Sequence, residues 1–327
     1  MSLSEQSSQD FQKSVARVGG VHTITRFVRK FQSVDTGKQY FVKPDHNKLE
    51  YRQYKVLADI GMAIPDEIIY LKETHELATL DMGDPFYELM REPEGMFRSF
   101  LVAAANLIND FHEKISGVTD LDEELIRINP SQSAHPVANF VSRFIDRNSM
   151  ASNVFLNKPE EVDIGTNSVN RSFNELHAYV MSIIQDYEEK VQDVVSDCYE
   201  DTDIILGDFK PENLVVFNDR KLVTIDPLLS RGDFEFDVTK FISRLILEGA
   251  SPSEALDFLK IYDGNEELDE DVYRGFSRRE LINLDMVNIL ASYMGRALMG
   301  KTNYRLIHNL CNQSGIANTW RGALRKS

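Results

Sequence analysis

The apolar residues of this chain change period near residue 85, and that switch limits the folds open to it. Before it, short alternating runs separated by turn residues read as strands. Val21–Phe31 is a strand, Val34–Lys38 a turn through Asp35-Thr36-Gly37, and Gln39–Lys43 the returning strand. Ser14–Arg17 starts an earlier strand. Lys48–Ile60 repeats Leu49, Tyr54, Leu57 and Ile60 at helical spacing and stops at Gly61. Ile68–Leu71 and Leu77–Met82 complete the strand-rich front. Beyond Pro85 the apolar residues recur every three or four positions. Helices are predicted over Phe97–Ile115, Phe173–Cys198, Asp237–Leu247, Pro252–Tyr262, Arg278–Leu298 and Tyr304–Cys311. Three short strands, Ile204–Leu206, Leu214–Phe217 and Lys221–Ile225, interrupt them. A β-rich front and a helical back predict an α+β chain of two lobes, residues 1–83 and 84–327.

Charge narrows the partners. Against 36 Lys and Arg stand 52 Asp and Glu, a net charge of −16 over 327 residues. Nucleic acid is thereby disfavoured, because phosphate backbones require clustered cations. Cationic ligands, or phosphates screened by a metal, remain compatible. Two cysteines, Cys198 and Cys311, make no disulfide framework, so a reducing, cytoplasmic setting is expected. No apolar run approaches the roughly 20 residues of a membrane span, and Met1–Gln12 is polar, unlike a secretion signal.

The chemistry is concentrated in Leu206-Gly207-Asp208-Phe209-Lys210-Pro211-Glu212-Asn213, followed by a strand, a turn, a strand and Ile225-Asp226-Pro227. Asp208 and Asn213 are five residues apart, Asn213 and Asp226 thirteen. A loop of that length can turn Asp and Asn toward one pocket, and a tight hairpin can return Asp226 to it. Two carboxylates and an amide oxygen are hard donors suited to Mg²⁺, which takes one or two carboxylates and completes its shell with substrate phosphates. Phosphoryl transfer needs that metal and a carboxylate to position the attacking hydroxyl. Taken singly, Asp208 or Asp226 would be an ordinary turn residue. The ordered combination of loop, spacings and strands favours a site.

The segment resembles the aminoglycoside phosphotransferase family, whose His-Gly-Asp-x-x-x-x-Asn, Ile-Asp and Gly-Asp-x-x-Phe/Tyr-Asp elements recur in the same order. Here they are Gly207-Asp208 to Asn213, Ile225-Asp226-Pro227 and Gly232-Asp233-Phe234-Glu235-Phe236-Asp237. The resemblance spans about residues 15–300 and is strongest over 204–246. It implies a protein-kinase-like bilobal fold, with Asp208 as catalytic base and Asn213 and Asp226 as Mg²⁺ ligands. Leu206 departs from the family's His. Lys210-Pro211 is similar to the Asp-Leu-Lys-Pro-x-x-Asn loop of protein kinases, in which the Lys reaches the γ-phosphate; Lys210 is either that group or a solvated loop lysine. Ten residues between Asp226 and Asp237 are too few for a protein-kinase activation segment, which disfavours a protein substrate.

In kinase-like folds a strand lysine neutralises the α- and β-phosphates and is held by a helix glutamate. Lys43 and Glu50 stand in those places. Gly19-Gly20 would turn over the phosphates. Leu80-Asp81-Met82-Gly83-Asp84 would supply the connector to the base, with Met82 lining the base or sitting in the core. Asp237 would cap its helix, Asp233 would lie in the preceding turn, and either could face the acceptor. The implied reaction uses ATP or GTP and a small-molecule hydroxyl. The acceptor could be an aminoglycoside held by the acidic runs at 120–124 and 266–271, or a metabolite such as choline, homoserine or a sugar. Such charge runs read first as solvated faces, and an acidic wall for a cationic acceptor is the other reading. A non-catalytic nucleotide-binding pseudokinase is the alternative, although Lys43, Asp208, Asn213 and Asp226 are all present. The sequence leaves the oligomeric state open.

Overall fold

The computed structural model describes residues 2–18, 28–85, 94–118, 121, 125–126, 135–147, 149–194, 203–217, 221–264 and 268–300. The predicted helix at Tyr304–Cys311 lies outside them. Elements follow in chain order: β1 (Ser2–Gln6), α1 (Ser8–Ser14), β2 (Val15–Arg17), β3 (Arg29–Ser33), β4 (Gln39–Pro44), α2 (Leu49–Asp59), β5 (Glu67–Leu71), β6 (Glu76–Leu80), β7 (Asp84–Pro85) and α3 (Glu94–Ser116). Next come α4 (Pro136–Phe140), α5 (Met150–Leu156), α6 (Asn167–Val194), β8 (Ile204–Ile205), β9 (Leu214–Phe217) and β10 (Lys221–Thr224). The chain continues through β11 (Ser230–Arg231), α7 (Phe234–Leu247), α8 (Pro252–Asp263), β12 (Asp271–Tyr273), β13 (Phe276–Ser277) and α9 (Arg278–Leu298). Two compact units result: residues 1–126 with 211–229, and residues 127–210 with 230–327.

The first unit is built on a six-stranded mixed sheet in the order β1-β5-β6-β4-β3-β2. β1 runs parallel to β5; the other pairs are antiparallel. The sequence gives no apolar warning of β1 or α1. Ser7 caps α1 by accepting from the Gln9 N–H, and Phe11 anchors the helix on the sheet, edge-on to Phe31 and Tyr40. Phe11, Tyr40, Val42, Ile69, Leu71 and Ala78 form that core. Alternation along β4 sends Tyr40 and Val42 into it and turns Phe41 and Lys43 to the opposite face. β5 is buried on both faces because α1 covers one and α2 lies over the other, where the Tyr51 and Tyr70 rings meet at 5.8 Å. The hairpin β9–β10 adds β7 to make a second, three-stranded sheet within this unit.

The second unit is mostly helical and centres on α9, which is apolar nearly all round and buried along its length. It packs on α4, α5, α6 and α7. A Cβ at Gly295 would lie 2.0 Å from the Ala151 carbonyl oxygen, so α5 and α9 touch backbone to backbone. Ser277 and Glu280 form a capping box at the start of α9, as do Ser251 and Glu254 for α8. Residues 117–170 lack a clear period, yet they hold α4, a π turn over Val141–Ile145, α5 and the first residues of α6. Among the described residues no helix is long and apolar enough to cross a membrane.

A buried ion cluster ties the ends of three helices together. Arg278, 4% exposed, clasps both carboxylate oxygens of Glu235, with Nη2 2.8 Å from Oε2, and Nη2 also lies 2.8 Å from Asp263 Oδ2. Removing one member of such a pair strands the other in a low-dielectric interior. Arg278→Met should therefore destabilise the fold by about 3–5 kcal/mol, read by urea denaturation. Arg278→Met combined with Glu235→Leu should recover much of that loss. A single-variant cost below about 1 kcal/mol, the range of an exposed pair, would contradict the cluster's role.

Candidate functional site

In the first unit, Lys43 leaves β4 on the face opposite the Phe11 core and meets α2. Its Nζ lies 2.8 Å from Glu50 Oε1 and also contacts Asp226 Oδ1. The strand-to-helix step from residue 43 to residue 50 is short because Asp45 starts the helix early. Its buried carboxylate accepts from the N–H groups of Glu50 (3.0 Å) and Tyr51 (2.9 Å), satisfying donors that a helix start leaves open. Asp45 thereby fixes the turn that aims Glu50 at Lys43. Burial works against the charge of Lys43, but Glu50 and Asp226 outweigh it and hold the ammonium above its ordinary value. Burial also pushes the Glu50 carboxyl up to about 7, against the opposing pull of Lys43.

Asp226 follows β10 with φ of 51°, left-handed backbone that is uncommon outside glycine and occurs at functional turns. It is held there by Tyr54, a fully buried α2 residue whose hydroxyl accepts the Asp226 N–H at 3.0 Å. One residue earlier, the Ile225 N–H donates to the Asn213 carbonyl at 2.9 Å. The hairpin thus brings Asn213 and Asp226 next to each other in the backbone, as their thirteen-residue spacing suggests. Asn213 is buried and Asp226 half exposed.

The connector Leu80–Asp84 is seated by packing and charge. Met82 is buried against Val215 and Val223, and Leu80 and Ile225 flank that cluster. Asp81 pairs with Lys30 at 2.7 Å. Gly19 and Gly20 lie outside the described residues.

In the second unit, Asp208 stands at the end of a γ-turn. Its N–H donates to the Leu206 carbonyl at 2.8 Å, and Gly207 takes φ of 68° at the apex, a strained backbone that glycine tolerates best. The turn is bolted from below. Asp237, fully buried on α7, accepts the Leu206 N–H on Oδ2 and the Gly207 N–H on Oδ1, both at 2.8 Å. The sequence reading makes Asp237 a helix cap. The cap is instead Asp233, whose carboxylate accepts the Glu235 N–H at 2.8 Å; α7 begins three residues earlier than its apolar period suggests. Downstream, the Phe209 ring stacks on Phe241 at 4.9 Å, and Phe241 meets Phe258, which locks the loop to the helices. Leu206, where the family has His, is buried.

Two lysines grip the Asp208 carboxylate, one on each oxygen. Lys210 Nζ is 2.8 Å from Oδ2. Lys240, on α7, is 2.9 Å from Oδ1 and donates to the Gly207 carbonyl at 2.9 Å. Burial alone would raise the Asp208 carboxyl; Lys240 and Lys210 outweigh it and hold it well below the usual carboxylate range. Lys240, Tyr54 and Asp45 are invisible to motif reasoning. The signal for Lys240 is faint: a helical cation one turn after an Asp that faces the loop. Within the acidic run at 266–271, Asp269 is engaged by the Arg279 guanidinium through both oxygens.

No protein-family model matches the chain, and no curated protein matches it. Solved structures do. A spectinomycin phosphotransferase, solved with ADP and spectinomycin, matches over 94% of this chain and 93% of its own, at 15% identity and a TM-score of 0.57. An aminoglycoside 2'-phosphotransferase solved as its GDP complex covers 96% and 99%, at 13% identity and a TM-score of 0.53. Choline kinase from Cryptosporidium parvum covers 95% and 89%, at 12% identity and a TM-score of 0.51. With its β-sheet front, its helical back and matches that run nearly end to end, this chain has the kinase-like fold of the aminoglycoside phosphotransferases and choline kinase.

Proposed function

We propose that this chain is a phosphotransferase that moves the γ-phosphoryl group of ATP or GTP to a hydroxyl of a small molecule. The observation that carries this reading is Asp208: an ionised carboxylate fixed on a strained turn, with its backbone bolted to Asp237 and lysines on both oxygens. Such a carboxylate orients an acceptor hydroxyl for in-line attack and takes its proton as the phosphoryl group moves. Lys43, held by Glu50, meets the α- and β-phosphates. Lys210 exchanges its contact with Asp208 for the γ-phosphate. The Leu80–Asp84 connector offers backbone groups to the base, seated by Met82, and Gly19-Gly20 turns over the phosphates.

Asn213 and Asp226 would hold Mg²⁺. Their chemistry fits: an amide and a carboxylate are hard oxygen donors, joined by the Ile225–Asn213 hydrogen bond, and Asp226 is half exposed. Among the described residues no group of three or more His, Cys, Asp or Glu forms a self-contained metal cage. When bound, the metal would neutralise charge on the transferring group.

The solved neighbours hold spectinomycin or act on choline, which sets the first acceptors to try. The test incubates the full chain with Mg²⁺ and γ-labelled ATP or GTP. The acceptor panel is spectinomycin, kanamycin, choline, ethanolamine, homoserine and simple sugars. Transfer of label to at least one hydroxyl, abolished in Asp208→Asn, is the expected result. Mg²⁺–nucleotide that neither binds nor turns over would sink the reading. Binding with no transfer to any acceptor would favour a nucleotide sensor.

A further inference from the structure

The two lysines on Asp208 differ in how they are held, and the difference assigns work to each. Lys210 is on the loop itself, two residues beyond Asp208, and its ammonium meets Asp208 Oδ2 at 2.8 Å. Lys240 projects from α7, is largely buried, and makes two contacts at once: Asp208 Oδ1 and the Gly207 carbonyl, each at 2.9 Å. It stands one helical turn after Asp237, which holds the N–H groups of Leu206 and Gly207. One face of α7 therefore grips the turn through donors and acceptors together. Asp237 takes its N–H groups, and Lys240 takes its carbonyl and one carboxylate oxygen.

We infer that Lys240 is a positioning residue that pins Oδ1 of Asp208 and so leaves Oδ2 as the oxygen that receives the acceptor hydroxyl. This rests on the phosphotransferase reading above. At rest, Lys210 covers Oδ2 and blocks the acceptor position. Nucleotide draws the Lys210 ammonium from Oδ2 to the γ-phosphate, while Lys240 keeps the carboxylate from rotating to follow it. In the transfer, the acceptor O–H bond breaks, its proton goes to Oδ2, the acceptor oxygen bonds to the γ-phosphorus, and the bond to the bridging oxygen of the nucleoside diphosphate breaks. Lys240 gives up no proton; it acts through the carboxylate. A carboxylate turns about its last side-chain torsion, so losing the Lys240 contact loosens the attacking geometry, and a small misplacement of a reacting group is enough to cost about 100-fold in rate.

The test compares wild type, Lys240→Met, Lys240→Arg and Asp208→Asn, all confirmed folded by circular dichroism and thermal melting. Two readouts are taken. The first is steady-state phosphoryl transfer from Mg²⁺–ATP to the responsive member of the acceptor panel, or to water where none responds. Lys240→Met should lower kcat about 10- to 100-fold while the KM for ATP moves less than about 3-fold; Lys240→Arg, which keeps a cation on Oδ1, should recover at least a third of wild-type kcat. The second is the titration of the Asp208 carboxyl by carbon NMR, with Asp208→Asn identifying the signal. In Lys240→Met it should titrate at least about one pH unit higher than in wild type, because a cation beside it is gone. Wild-type kcat and unshifted titration in Lys240→Met overturn the inference even where Asp208→Asn is inactive. An Asp208→Asn enzyme as fast as wild type removes Asp208, and with it the work of Lys240, from the chemistry, whereas Mg²⁺–nucleotide that wild type neither binds nor turns over overturns the phosphotransferase reading instead. Should wild type transfer to neither acceptor nor water, the titration alone decides whether Lys240 pins Asp208.

Discussion

Asp208→Asn should slow phosphoryl transfer by at least about 100-fold, the scale of a positioned proton acceptor, while leaving the backbone of the turn and nucleotide binding close to wild type. The amide is isosteric, so the γ-turn at Gly207 and the two Asp237 hydrogen bonds survive. What disappears is negative charge between Lys210 and Lys240. Those lysines hold the wild-type carboxyl well below the usual range, which fixes the sign of its pH dependence. A carboxyl depressed in the folded state stabilises the protein above the ordinary aspartate value of about 3.9, and that stabilisation is lost as pH falls through and below it. Asp208→Asn should remove this component of acid destabilisation. Asp208 is also ionised at every pH from 5 to 9, so no inflection of kcat in that window arises from its protonation. Rate profiles of wild type from pH 5 to 9, and acid melts of both proteins, check these points. An Asp208→Asn enzyme within about threefold of wild-type rate would remove Asp208 from the chemistry.

Lys43→Met carries the second large effect. In wild type its ammonium lies between Glu50 and Asp226 and is the cation that binds those two carboxylates together. Methionine preserves the aliphatic stem and the packing along β4 but removes the cation that pulls the Glu50 carboxyl down, so Glu50 takes up a proton near neutral pH. Saturating Mg²⁺–ATP at 100 times its Kd stabilises a protein by about 2.7 kcal/mol. Most of that thermal shift should be lost in Lys43→Met at the same nucleotide concentration. Transfer should fall about 100- to 1,000-fold, as when one preorganised donor to a developing charge is removed. Glu50→Gln should be milder, because it keeps Lys43 and loses only its orientation. Full nucleotide stabilisation and near-normal turnover in Lys43→Met would show that the phosphates are met elsewhere.

Much of this was legible before any coordinates. The helix ending at Gly61, the strand ending in Lys43 and the hairpin between Asn213 and Asp226 follow from local rules: period, turn residues and a fixed loop length. The Lys43–Glu50 contact could be anticipated because a strand and the helix after it leave few arrangements for a cation and an anion seven residues apart. Other features carry no local signal. Ser2–Gln6 is polar and becomes a strand because β5 offers it a parallel edge. The unit containing Lys43 also contains residues 211–229, brought in from the far half of the chain, and a linear change of composition does not mark such a division. Asp237 has the spacing of a cap, yet its helix starts earlier, and its carboxylate is spent on the backbone of a turn thirty residues upstream.

The sequence by itself determined the candidate groups of the proposed site: an ordered series of a strand lysine, a helix glutamate, a loop aspartate, an asparagine and a hairpin aspartate. Their order and spacing are set by covalent connectivity and short-range backbone preferences. Only the tertiary structure decided what holds them in place: Tyr54 behind Asp226, Asp45 behind Glu50, and Asp237 and Lys240 beneath Asp208. Apart from the local Asp45–Glu50 contact, those supports join residues about thirty to more than a hundred positions apart. Such contacts depend on which helix faces pack together, and no local pattern encodes that choice.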